Sequence, residues 1–200
     1  MAINSDEQQN AALSWTKAVT KNKEIVAENS NRLIPKGSIL NLKNPPRIKR
    51  KLSAWKGRTD RQAFWLKHNL IKKTLPGEAG EILDELKMAR AEILGSKEYD
   101  GAKLNIQNFS TDVTKNLADE EIQLSTLINL WFKNLNGFKL DKDQKRLIDQ
   151  IPNINSRNSQ KISEDMISSI KDEESFLKSS LSLLNALKLL EQEKSEENED

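Results

Sequence analysis

The chain has 200 residues, 36% hydrophobic and 31% charged, which allows one sizeable core or two small ones in a rather polar protein. It has no cysteine, which excludes structural disulfides, thiolate metal sites and cysteine nucleophiles. The net charge of +2 hides a division: residues 1–75 carry 16 Lys and Arg against 5 Asp and Glu, and residues 76–200 carry 16 against 25, an asymmetry that invites contact between the halves or two different partners.

In chain order, Ser5 with Gln8 three residues on predicts the start of a helix that keeps apolar spacing through Leu13, Val19 and Ile25 to about Ala27. Asn29, Asn31, Pro35, Gly37, Asn41, Asn44 and the Pro45–Pro46 pair then break any helix. Within this stretch Gly37–Leu42 reads as a short strand, with residues 31–34 as its expected mate. Residues 47–74 turn helical again, with an interruption expected at Gly57. Their apolar stripes are Ile48, Leu52 and Trp55, then Phe64, Trp65, His68 and Ile71.

Glu78 to Leu94 is the clearest helix, with Ile82, Leu83, Leu86, Ala89, Ile93 and Leu94 inward and Gly95 expected as its stop. Glu81, Asp84, Glu85 and Glu92 read as its solvated face, paired at helical spacing with Lys87 and Arg90. Ser96 to Thr114 shows no clean period and reads as a long ordered connection. Asp119 to Asn134 reads as a helix burying Ile122, Leu124, Leu127, Ile128, Leu130 and Trp131, turned by Asn136–Gly137. Asp141 is placed to cap a shorter helix that closes before Pro152, and residues 153–160 read as a loop. One long helix is expected from Lys161 to about Glu191, followed by an acidic tail.

The fold expected is therefore mainly α: a helical, bundle-like domain with a small irregular or β segment near residues 31–43 and a long C-terminal helix. Aromatics make up 5%, so the core should be mostly Leu, Ile and Ala. No run approaches the ~20 apolar residues of a membrane helix, and residues 4–10 are polar where a secretory segment would be apolar. A soluble, cytoplasmic protein is expected, with no membrane partner.

Few groups suit catalysis. A single histidine, His68, cannot make a two-histidine metal site within one chain, and its neighbours Phe64 and Trp65 favour a packed structural role. No Gly-rich phosphate loop followed by Lys-Ser or Lys-Thr occurs, so no ATP site is expected here. Asp141, Asp143 and Asp149 lack the glycine and closing Glu of a calcium loop. The basic segment Arg47–Lys51, continued by Lys56, Arg58 and Arg61 and interleaved with Trp55 and Trp65, has the composition of a nucleic-acid surface. No specific motif accompanies the charge, so nucleic acid is disfavoured. A general protein-interaction module is the broader alternative.

Residues 81–106, with Asp84, Leu86, Ala89, Arg90, Glu92, Gly95, Ser96, Gly101 and Asn105 in order, resemble the CobT family of aerobic cobaltochelatase subunits. Arg61 to Asn69, holding His68, resembles the family's preceding helix. Leu127–Trp131, then Asp172–Leu177 with Leu181–Leu187, resemble its following ones. On this resemblance 1–29 is an N-terminal helix, 30–190 a CobT N-terminal-like helical domain, and 191–200 a disordered acidic tail opening an acidic linker. In the family that linker leads to a von Willebrand A domain, which this sequence lacks.

The resemblance implies a non-catalytic accessory subunit of an ATP-dependent ligase that forms nitrogen–metal bonds, inserting cobalt into hydrogenobyrinic acid a,c-diamide in cobalamin biosynthesis. The implied partners are a CobS-like AAA+ ATPase and a CobN-like large subunit. The complex would use ATP, magnesium and cobalt, with no cofactor, metal or active site on this chain. Arg90, Glu92, Gly95, Arg61 and His68 are its candidate subunit-contact or structural residues, Arg90 and Glu92 as ion-pair formers and Gly95 as a turn.

Overall fold

The computed structural model describes residues 5–115 and 122–190. Among these the chain forms eight α-helices, α1 Ser5–Thr20, α2 Leu52–His68, α3 Gly77–Glu98, α4 Asp100–Lys115, α5 Leu124–Leu135, α6 Lys142–Ile148, α7 Arg157–Ser168 and α8 Glu173–Ala186. A single two-stranded sheet pairs β1 Val26–Asn29 with β2 Ile39–Leu42. The mainly α expectation holds.

The chain divides into two compact units. The first takes the described residues up to Asn69 together with Ala91 to Lys115; the second takes Leu70–Arg90 and the described residues from Ile122 onward. Helix α3 thus gives its earlier turns to one unit and its last turns to the other.

In the first unit α1 stops at Thr20, seven residues before its apolar pattern runs out. Lys21 takes a positive φ of 54°, and the Asn22 carboxamide accepts from the Glu24 backbone N–H at 2.9 Å. This local turn competes with the helix. Ile25, 1% exposed, then enters the core. A strand forms within the expected 37–42 but starts only at Ile39, after Gly37 takes a positive φ of 59°; its mate is 26–29 and the pairing is parallel, with Val26 opposite Ile39 and Asn29 opposite Leu42. Residues 31–34 are not a strand; they lie in the crossover, which is short for parallel strands. Arg58 of α2 holds it, donating from Nη2 to the Ser30 and Arg32 carbonyls at 2.8 and 2.9 Å.

Helix α2 runs through Gly57 unbroken. A Cβ there would lie 2.0 Å from the Asn105 carbonyl oxygen, so Gly57 is a notch that lets α2 and α4 meet backbone to side-chain-free backbone. Residues 100–115, read from sequence as a connection, are the helix α4. Its buried residues Ala102, Ile106, Phe109 and Ser110 recur every three or four positions against α2. Ala12, Ile25, Leu40, Leu42 and Trp55 form an apolar cluster, with Leu13, Leu52 and Leu66 packed on it. Fully burying each large side chain contributes on the order of 2 kcal/mol.

In α3 the helix runs three residues past Gly95, so Gly95 is no stop. The face read as solvated is partly buried too: Lys87 is 3% and Glu92 0% exposed.

In the second unit α5 buries Leu127, Ile128, Leu130, Trp131 and Phe132. The start expected at Asp119 lies outside the described residues. Asp141 caps α6 through a full capping box with Gln144, its Oδ1 accepting from the Gln144 N–H at 2.9 Å. The expected long C-terminal helix is two helices. The segment Ser169–Asp172 separates α7 from α8, and the Asp172 carboxylate accepts from the Ser175 N–H at 2.7 Å, starting a new helix. Helix α7 begins at Arg157, capped by Ser156, inside the stretch read as a loop. The acidic tail 191–200 lies outside the described residues.

The core is mostly Leu, Ile and Ala, as expected, and the aromatics add to it. Trp55, Phe64, Phe109, Trp131, Phe132, Phe138 and Phe176 are all buried, and Phe132 and Phe176 meet with ring centroids 5.7 Å apart. The few aromatics are spent almost wholly inside, where their large area counts most.

Candidate functional site

Arg61 sits on α2 one turn beyond Gly57, facing the last turns of α3. Its Nε lies 3.2 Å from Glu92 Oε1, and the two side chains are 6% and 0% exposed. The guanidinium also stands over the Phe109 ring of α4 at 5.3 Å. Arg61 therefore joins three helices of the first unit. A buried pair of this kind adds little net stability over apolar packing, but breaking it is costly.

Gly95 lies directly beneath Phe64. A Cβ on Gly95 would fall 2.2 Å from Phe64 Cγ, so the glycine is the seat for a fully buried ring. Tyr99, one turn after Gly95, stacks on Phe64, 5.9 Å between centroids and 15° between planes. Trp15 of α1 meets Tyr99 edge-on at 5.0 Å. His68, one turn after Phe64, places Nε2 3.3 Å from Glu98 Oε1. Lys67 bonds the same carboxylate.

Arg90 belongs to the second unit. Its Nε donates to the Ile170 carbonyl at 2.8 Å, its Nη1 approaches Glu173 at 3.4 Å, and its guanidinium covers the Phe176 ring at 5.7 Å. It thus clasps the break between α7 and α8. Burial lowers its pKa, and Glu173 and Asp172 oppose that shift. Nearby on α3, Lys87 pairs with Asp84 at 2.9 Å and bonds the Lys73 carbonyl. Asn129 of α5 donates to the Glu85 carboxylate at 2.9 Å.

All five residues singled out from sequence are therefore engaged within the chain. Arg61, Glu92, Gly95 and His68 lie together in the first unit, and Arg90 lies in the second. Sequence reasoning missed Arg58 and Gln62, which hold the crossover and β2. Their signal was the spacing 55, 58, 62, which puts two polar residues on the Trp55 face of α2. The basic segment also changes character. Arg58 and Arg61 are 7% and 5% exposed, and among the described side chains Arg47, Lys49, Lys51 and Lys56 are exposed. Among the described residues no three His, Cys, Asp or Glu side chains gather as a metal would need.

The family model described as cobalamin biosynthesis protein CobT matches residues 4–200. The chain belongs to the CobT family. Membership implies a role in cobalamin biosynthesis. The CobT match spans both units, and the Arg61–Glu92 and Arg90–Ile170 contacts both fall inside it. Comparisons with curated proteins and with solved structures returned no match.

Proposed function

We propose that this CobT-family chain is a non-catalytic accessory subunit of the ATP-dependent aerobic cobaltochelatase, the ligase that inserts cobalt into hydrogenobyrinic acid a,c-diamide. The observation that carries the reading is the family match across residues 4–200. Its buried ions support it: Arg61 with Glu92 joins α2 to α3, Arg90 ties α3 to the α7–α8 break, and Lys87 is taken up by Asp84 and the Lys73 carbonyl. Such groups shape surfaces; action on other proteins then falls to what those surfaces present. Cobalt and the corrinoid are substrates of the large CobN-like subunit in this reading, and ATP with magnesium belongs to a CobS-like AAA+ ATPase.

The test is co-purification. The tagged chain, mixed with CobS-like and CobN-like subunits, ATP and magnesium, should elute with the ATPase, and alone should hydrolyse no ATP. Elution at its own size in the presence of both partners, or ATP hydrolysis by the purified chain, would overturn the reading.

A further inference from the structure

The first unit holds a cleft of about 590 Å³ between α1, α2 and the start of α4. Its walls are aromatic: Trp15 from α1, Trp55 from α2, and Tyr99 just before α4. The Trp55 indole N–H is turned away to the Lys43 carbonyl at 2.8 Å, so its ring serves as wall. Asp60 lies among these rings and is 6% exposed.

The carboxylate is held in place. Asn105 Nδ2 donates to Asp60 Oδ2 at 2.9 Å, and Asn105 Oδ1 is itself fixed by the Ser53 hydroxyl at 2.8 Å. Thr59, next to Asp60, gives its hydroxyl to the Trp55 carbonyl. Lys56, one turn earlier on α2, is exposed and acts on Asp60 as a Coulombic neighbour. Lys56 and the Tyr99 phenol are the other titratable groups lining the cleft, from α2 and the α3–α4 junction; α1 contributes Gln8 and Trp15, and α4 contributes Asn105. The Tyr99 ring is already stacked on Phe64 and covered by Lys67 Nζ at 5.3 Å, so the indoles of Trp15 and Trp55 are the aromatic surface left to a ligand; a positioned buried carboxylate beside indole rings suits a cation, because rings attract a cation and a carboxylate gives it a counter-charge.

We propose that this cleft binds an organic cation, a guanidinium or ammonium group on an apolar stem, with Asp60 as counter-ion and the indoles of Trp15 and Trp55 as walls. The inference stands apart from the chelatase reading. Burial holds the free Asp60 carboxyl partly protonated by raising its pKa to about 6. A bound cation favours the ionised form, so binding strengthens as pH rises through that value.

The experiment titrates the full chain with butylguanidinium, with neutral pentanol as its uncharged counterpart, while the indole N–H resonances of Trp15 and Trp55 are followed by NMR. Butylguanidinium should shift both indoles at millimolar concentration and pentanol should not. Asp60→Asn should weaken binding about tenfold or more, and lowering the pH through about 6 should weaken it in the wild type alone. Gly101→Leu adds bulk at a cleft position where a Cβ meets nothing within 4 Å; it should abolish binding while leaving the unfolding midpoint unchanged. A blocked tripeptide, acetyl-Ala-Arg-Ala-amide, separates the sources: tighter binding than butylguanidinium identifies a protein side chain as the ligand, weaker binding a free amine, and either order supports a cation site. No indole shift, equal shifts with pentanol, or wild-type affinity in Asp60→Asn would overturn the proposal.

Discussion

Removing the Glu92 carboxylate leaves the Arg61 guanidinium inside without its anion. Glu92→Ala should cost about 3 kcal/mol by urea unfolding, and pairing it with Arg61→Leu should recover part of that loss. Gly95→Ala drives a methyl into the Phe64 ring. It should cost about 2 kcal/mol, a loss relieved when Phe64→Leu is made alongside. Asp60 gives a pH signature. Its folded pKa of about 6 lies above the ordinary 3.8, so the folded state binds the proton more tightly. That stabilisation is complete below the ordinary value and is lost as pH rises through about 6. Asp60→Asn should therefore raise stability by on the order of 2 kcal/mol at alkaline pH, with the gain vanishing in acid. Thermal unfolding across pH checks this. Helical spacing marked Arg90 and Glu92 as ion-pair formers, and the CobT resemblance singled out Arg61. Which side chain meets which depends on helices distant in sequence: Arg90 reaches Ile170 across 80 positions, and no local pattern encodes that.

Helices with their own start signals were readable. Asp141 with Gln144 announces α6, and Asp141→Ala should cost about 1 kcal/mol by removing the cap, measured by thermal unfolding. Besides β1, two features of the helices were not read. Helix α4 carries Asn105, Asn108, Ser110, Thr111, Asp112 and Thr114, residues whose side chains offer the backbone alternatives to a helix. Packing on α2 through the Gly57 notch outweighs that preference. In the C-terminal region the apolar spacing of Ile162, Met166 and Ile170 suggested a helix running on. The overriding signal was also present: Asp172 followed by Glu173 and Glu174 is an N-terminal signature. Gly95 misled in the opposite sense, because a glycine needed for a ring's close approach looks in sequence like a helix stop.

At the scale of the molecule, mainly helical content followed from composition and periodicity, whereas the division into two units did not. Each unit draws on two separated stretches of chain, and contact partners so far apart leave no trace in a linear pattern. Helix α3 supplies Glu92 and Gly95 to one unit and Glu85 and Arg90 to the other. Losing that helix removes anchors from both. Variants keeping only Trp55 or only Trp131 should therefore report unfolding at the same urea concentration; separate transitions would show units that melt independently. No described helix is long and apolar enough to cross a membrane.

The Gln62 carboxamide has a further consequence. It accepts from the Asn41 N–H and donates to the Asn41 carbonyl, both at 2.9 Å, which is the pairing a third strand would offer. A side chain thereby terminates the sheet on that margin. That rung is buried, Gln62 being 0% and Asn41 3% exposed, so without the carboxamide the Asn41 N–H and carbonyl would sit inside the fold unsatisfied, at about 1–3 kcal/mol for each group. One amide on α2 thus seals the margin of the sheet from within.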